Sequence, residues 1–185
     1  MLFTGDLVRL AQISRDNLPA YKRWMRDYEV QYFLARIPTP ITDEAEEAWF
    51  EGVAKGTGDY IFAIHTLDDD TLIGNCGLHN IDVKSRFAEF GIVIGEKDYW
   101  GGGYGTDAAR VTLRFAFDEL NLHRVELDVY DFNPRAIRSY EKVGFVHEAV
   151  RRDALFRDGA YHDVHRMGIL QHEWRALYGS QQGKT

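Results

Sequence analysis

The centre of the chain runs Tyr99-Trp100-Gly101-Gly102-Gly103-Tyr104-Gly105-Thr106. Residues 87–94 before it, Phe-Ala-Glu-Phe-Gly-Ile-Val-Ile, pattern as a strand, and residues 107–117 after it pattern as a helix. A strand, a glycine turn and a helix N-terminus together form an anion-binding device. Glycine lets the backbone come close to a ligand, the first-turn N–H groups have no partner inside the helix, and the helix dipole favours negative charge there. The loop is therefore expected to hold a phosphate-bearing ligand. Four glycines cost conformational entropy on folding, which weighs against a loop that binds nothing.

Outward from the loop, the two halves of the chain differ. On the N-terminal side, residues 7–13 read as a strand and Ser14 as the cap of a helix over 15–26, with Leu18, Tyr21, Trp24 and Met25 on its buried face. Residues 27–41, with Pro38 and Pro40, read as irregular, and Thr42 as the cap of a helix over 43–54 that Gly56-Thr57-Gly58 ends. Strands over 60–65, 72–81 and 87–94 follow as an antiparallel meander. On the C-terminal side, the helix over 106–119 leads to a strand over 123–130, a crossover that makes this strand a parallel neighbour of 87–94. Asn133 then caps a helix that has Pro134 at its first position and ends at Gly144. Strands over 145–156 and 161–170 meet across Asp158-Gly159, a strong hairpin signal. The expected fold class is α/β, with a mixed central sheet flanked by helices. Its parts are an antiparallel N-terminal meander, one parallel pair and a C-terminal hairpin.

The totals narrow the function classes. The 185 residues suit one domain, over 1–174, with a polar tail at 175–185 that is expected to fray. Apolar residues at 45% and charged residues at 28% are those of a folded soluble protein. A net charge of −7 argues against nucleic acid as the principal ligand and is compatible with a cationic one. Cys76 stands alone, which excludes an internal disulfide and a multi-cysteine zinc site. His162 and His165 would point to opposite faces of a strand, so no metal is expected. Gly183-Lys184-Thr185 has the end of a P-loop without its first glycine, since Tyr178 occupies that position. There is no basic, apolar leader at the start and no run of membrane-spanning length, so the expected location is the cytoplasm, with no membrane contact.

Gly103-Tyr-Gly105-Thr-Asp-Ala108 also fits G-x-G-x-x-A, with Glu126 some twenty residues on, which opens a dinucleotide-binding reading. The meander before the motif opposes it, because a Rossmann unit opens a parallel sheet. The second constellation is Asn133-Pro-Arg-Ala-Ile-Arg-Ser-Tyr140-Glu-Lys-Val-Gly-Phe145, an amphipathic helix whose Tyr140 lies on the buried face and needs a partner.

Together the two stretches resemble the GNAT superfamily of N-acetyltransferases. Its glycine loop, [Gln/Arg]-x-x-Gly-x-[Gly/Ala], is matched by Trp100 to Gly105, with Trp in place of Gln or Arg at the first position, a form similar to the RimJ/RimL branch. Its Asn-x-x-Ala-x-x-x-Tyr-x-x-x-Gly-Phe is matched by Asn133, Ala136, Tyr140, Gly144 and Phe145. Gly159-x-Tyr161 and Arg166-Met167 are similar to spermidine acetyltransferases. The resemblance is close over about 60–174.

The resemblance implies a GNAT fold in which the parallel strands splay and acetyl-CoA, a co-substrate, lies between them. It implies that the backbone of Ile92, Val93 and Ile94 pairs with the pantetheine arm, that the amides of Trp100, Gly101, Gly102, Gly103, Tyr104, Gly105 and Thr106 take the pyrophosphate, and that Asn133 touches the arm. It assigns Tyr140 as the acid that protonates the thiolate. For the base, Asp128 and Glu89 stand as alternatives, each equally open to a structural role beside an arginine, with His79 and His147 behind them. Direct attack in a ternary complex is expected, with Cys76 a buried small side chain. The acceptor is an amine, either a protein N-terminus or a polyamine. Asp27, Glu29, Glu44, Glu46, Glu47 and Glu51 form either an attracting wall or a solvated helix face. A non-catalytic acetyl-CoA-binding module is the alternative class. The terminal hairpin and exposed aromatics are compatible with a homodimer, common in this branch.

Overall fold

The computed structural model describes residues 2–34, 37–56 and 58–179. Seven strands form one sheet in the order β1-β2-β3-β4-β5-β7-β6. They are β1 (Val8–Gln12), β2 (Tyr60–Thr66), β3 (Leu72–Asp82), β4 (Phe87–Ile94), β5 (Arg124–Tyr130), β6 (Val146–Arg157) and β7 (Ala160–Leu170). Every neighbouring pair is antiparallel except β4 and β5. The mixed sheet of meander, single parallel pair and terminal hairpin is thus the expected one. A dinucleotide-binding unit is excluded by this topology.

Helices cover both faces. Helices α1 (Leu18–Trp24), α2 (Tyr28–Tyr32) and α3 (Asp43–Ala54) lie in the N-terminal half, and α4 (Tyr104–Arg114), α5 (Pro134–Val143) and α6 (Gln171–Tyr178) in the C-terminal half. Two cores result. One gathers α4, α5 and α6 against the sheet through Ile64, Leu78, Phe90, Leu113, Phe117, Val125, Met167 and Trp174. The other packs Leu18, Tyr21, Trp24, Val30 and Phe50 against Ala63. Strand alternation sorts the site residues between these faces. Phe90, Ile92 and Ile94 pack into the first core, and Val93 against the second.

Several local details differ from expectation. The first helix is split: a 3₁₀ turn at Arg15–Asn17 precedes α1, and Asn17 Oδ1 accepts from the Ser14 backbone N–H at 2.8 Å. Helix α2 forms inside a stretch that reads as irregular, because Asp27 accepts from the Glu29 N–H and so caps it. Thr42 caps α3 as expected, accepting from Ala45 N. Helix α4 begins at Tyr104 rather than Thr106, so Tyr104, Gly105 and Thr106 form its first turn. Past Arg114 it widens into a π turn over Phe115–Glu119. That turn lets Phe115 pack on Phe3, Tyr60 and Phe62 while Phe117 packs on Trp174. After Trp174, α6 continues to Tyr178, whose hydroxyl donates to the Val143 carbonyl at 3.1 Å. The Gly183-Lys184-Thr185 end lies outside the described residues.

One buried carboxylate ties the first strand to α4. Asp107, 5% exposed, accepts from the backbone N–H of Leu7 at 2.7 Å and of Val8 at 3.0 Å, and pairs with Arg110 at 2.5 Å. Asp107→Ala would strip two backbone donors of their acceptor and leave Arg110 with Asp6 alone of its two carboxylate partners. The expected loss of stability is about 2–4 kcal/mol, read as a lower urea midpoint at unchanged slope.

Candidate active site

The site begins where the parallel ladder stops. Strands β4 and β5 pair only as Phe87↔Arg124, Ala88↔Val125 and Glu89↔Glu126. Beyond that rung β4 stays with β3 up to Gly74↔Ile94, and β5 stays with β7 up to Tyr130↔Val164. The backbone of residues 90–94 therefore presents an edge without a strand partner on its β5 side, as an exposed sheet edge does to an incoming extended chain. A cavity of about 810 Å³ opens between the strands. Ile92, Val93, Ile94, Trp100, Gly101, Gly103, Gly105, Thr106 and Asn133 line it, as do Tyr140, Glu89 and Asp128. Two residues of the expected set, Gly102 and Tyr104, are not among the lining residues. The ring of Tyr104 packs edge-on against Tyr99 at 5.1 Å.

The loop end of the cavity suits an anion. Gly101 and Gly103 take φ of +82° and +91°, values that side chains oppose, and Gly103 is the N-cap of α4. The first-turn amides of α4 have no carbonyl ahead of them in the helix. Trp100 is pinned by its Nε1, which donates to the Ile94 carbonyl at 2.7 Å. Over its ring, 4.1 Å from the centroid, sits the guanidinium of Arg135, which also faces Phe33 at 5.5 Å. Arg135 lines the cavity, so a cation stands near the glycine loop where Trp100 takes the place of the family's Gln or Arg. On an amphipathic helix that buries Tyr140, Arg135 would be expected on the outer face. Its position two residues after the Asn133 cap is the signal that could have turned it toward the loop. Asn133 itself spends Oδ1 on Ala136 N at 3.2 Å, as its capping role requires.

At the other end lie the titratable groups. Tyr140 packs edge-on against Phe90 and Phe145, with centroids at 6.3 and 5.8 Å. Burial pushes its phenol up to about 12. On the opposite face of the sheet, Glu89 stands across from His79 in the β3–β4 register and accepts from Asn80 Nδ2 at 3.0 Å. Asp128 is held differently. Arg151 donates to it at 2.5 Å and Arg166 at 2.6 Å, and Arg166 also pairs with Glu126. Burial raises the Asp128 carboxyl, Glu89 adds to the rise and Arg151 opposes it. Asp59, which lies 3.3 Å from His79, lines the same mouth and was not anticipated. His147 pairs with Glu141 at 3.0 Å instead, and it is not among the lining residues.

Two other groups of residues lie away from the cavity lining. The acids of the N-terminal helices do not line the cavity. Asp27 and Glu29 pair with Lys97, Glu47 with Lys22 and Glu51 with Arg15, while Glu46 is buried. Cys76 is buried beside Thr112, with its thiol pushed up to about 12 by burial, which suits packing and not nucleophilic attack.

Comparison with known proteins bears on the family and the fold. A family model described as acetyltransferase (GNAT) domain matches residues 8–146. A Bacillus subtilis protein named as a ribosomal N-acetyltransferase, YdaF, is 37% identical over 177 residues, covering 94% of this chain and 91% of that protein. A Vibrio cholerae spermidine N(1)-acetyltransferase is 39% identical over 103 residues, covering 56% of this chain and 59% of that one. The crystal structure of a spermidine N-acetyltransferase from Vibrio cholerae in complex with CoA and spermine superposes with a TM-score of 0.83 at 28% identity, covering 90% of this chain and 97% of the other. The chain belongs to the GNAT acetyltransferase family. No helix among the described residues is long and apolar enough to cross a membrane.

The glycine loop gives a direct test. Gly103→Ala forces a side chain into a left-handed cap and brings a methyl within 3.4 Å of Leu7 Cδ1. The strain of about 1–2 kcal/mol is expected to be relieved by loop movement, and calorimetry should show CoA binding weakened about tenfold.

Proposed function

We propose that this chain transfers the acetyl group of acetyl-CoA to a primary amine by direct attack in a ternary complex. The observation that carries the reading is the convergence, in one cavity, of an unpaired β4 edge, a helix N-terminus behind left-handed glycines, and Tyr140. Acetyl-CoA supplies the acetyl group as an activated thioester. The amides of the loop and of the first turn of α4, with Arg135 beside them, would hold the pyrophosphate. The edge of residues 92–94 would pair with the pantetheine arm, and an N–H of that edge would polarise the thioester oxygen. As the C–N bond forms and the C–S bond breaks, the Tyr140 hydroxyl would give its proton to the sulfur. A phenol raised to about 12 stays protonated throughout the working range and so remains ready to donate.

Of the two carboxylates, Glu89 is the better base. Asp128 is occupied by two guanidiniums, whereas Glu89 carries one neutral amide donor. Glu89 would take the amine's proton, directly or through one water. Asp59 and Glu89 together make the mouth attractive to a cation.

The acceptor we favour is a protein N-terminal amine, supported by the extent of the likeness to YdaF. A polyamine is the second reading, supported by the carboxylates at the mouth and by the spermine-bound neighbour. The compartment that suits this reading is the cytoplasm.

Thiol release from acetyl-CoA against protein N-terminal peptides, polyamines and aminoglycosides tests the reading. Amine-dependent release is expected, and tight CoA binding without it would favour a non-catalytic module. Tyr140→Phe should lower kcat about 10²-fold or more with little change in CoA affinity. Substitution separates the carboxylates. Glu89→Gln is expected to lower kcat/KM about 10²-fold, whereas Asp128→Asn keeps kcat/KM within about threefold and lowers stability. Wild type should show no alkaline limb from Tyr140 below about pH 10.

A further inference from the structure

The tip of the β6–β7 hairpin reaches across the molecule to α2. Arg157, 5% exposed, sends Nη1 to the Tyr32 carbonyl at 2.5 Å and Nη2 to the Leu34 carbonyl at 3.2 Å, with its guanidinium 5.5 Å from the Tyr32 ring centroid. Asp158, next in the turn, accepts from the Tyr28 hydroxyl at 2.8 Å. Both ends of a five-residue helix are thus held from a point 125 residues away in sequence. So short a helix is not stable by itself. Its last carbonyls need partners from outside, and a cation at that end also suits the dipole.

What the tip holds is a wall of the cavity. Val30, Phe33 and Leu34 line it. Phe33 touches Trp100 on the β4 side and Phe132 on the β5 side, at ring separations of 6.0 and 6.3 Å, so the segment spans the gap between the splayed strands. Val30 packs with α1 and α3 in the second core, whereas α4, α5 and Tyr140 pack in the first. The wall therefore stands on the face of the sheet away from α4 and α5, the face on which Glu89 opens.

We propose that Arg157 is a positioning residue: by anchoring residues 28–34 it sets the amine side of the cavity and so the affinity for the acceptor. This rests on the reading above that the amine enters on the Glu89 face. Lys97, just ahead of the glycine loop, also pairs with Asp27 and Glu29 at the start of this segment, while the carbonyls at its end are held by Arg157.

The test uses the full chain and the variants Arg157→Ala, Arg157→Lys and Tyr28→Phe. By hydrogen–deuterium exchange, Arg157→Ala should speed the amides of residues 28–34 about tenfold, with β4 and α5 unchanged. With an amine found in the panel, its KM should rise about tenfold while kcat and the acetyl-CoA KM stay within about twofold. Arg157→Lys, which keeps the charge and a donor, should recover part of the loss, and Tyr28→Phe should give a smaller rise. Unchanged exchange in residues 28–34 would overturn the anchor. A parallel rise of both KM values with a fall in melting temperature would reduce Arg157 to a structural tie. Should wild type accept no amine, the acceptor reading falls, and the exchange comparison alone decides whether the anchor exists.

Discussion

The single parallel ladder of the sheet ends after three residue pairs, and the rest of the site follows from that break. A sheet that loses a neighbour exposes backbone donors and acceptors, which are costly to leave without partners. Here the loss is confined to one gap between strands that each keep their other neighbour, β3 for β4 and β7 for β5. The gap is therefore rigid on both sides and hungry for hydrogen bonds in the middle. An extended ligand with amide groups answers that need as an added strand would. The loop and α4 then complete the gap at one end with positive potential, and Tyr140 stands over it on the face that α5 covers.

Charge is sorted along the same line. On the β5–β7 side, Arg124, Arg151 and Arg166 interlock with Glu126, Asp128 and Glu148. Such a network holds its members in place more than it adds stability, since partly buried ions give back in desolvation much of what they gain in attraction. Its effect on the site is to neutralise Asp128 and leave Glu89, across the gap, as the less encumbered carboxylate. The same residue type thus serves as scaffold on one strand and as a candidate for proton transfer on the other.

Most of the architecture was legible because it depends on short-range rules. Gly144 at a left-handed C-cap, Asn133 with Pro134, Thr42 and the Asp158-Gly159 turn each fix an element locally. Both family motifs are contiguous, so most of the residues they nominate do meet at the cavity. What stayed hidden depends on contacts between distant segments. Helix α2 is too short to show a period, and the tip of the distant β6–β7 hairpin supports it. The π turn over Phe115–Glu119 is set by the need to bury Phe115 and Phe117 against different aromatics, which no helical spacing reveals. Arg135 and Asp59 reach the cavity, whereas the conspicuous acids of α3 do not. Composition shows that carboxylates abound. It cannot show which are already taken by Lys22 or Arg15.

The short ladder also bears on the endurance of the whole molecule. Two blocks of sheet, β1 to β4 and β5 to β7, are joined at their seam by three rungs, so a ligand lying in the gap spans that seam as mortar spans two courses of brick. By mass action, free energy of binding to the folded state becomes free energy of folding, about 2.7 kcal/mol when the ligand stands at a hundred times its dissociation constant. The abundance of such a protein in a cell is then tied to the supply of the molecule it uses.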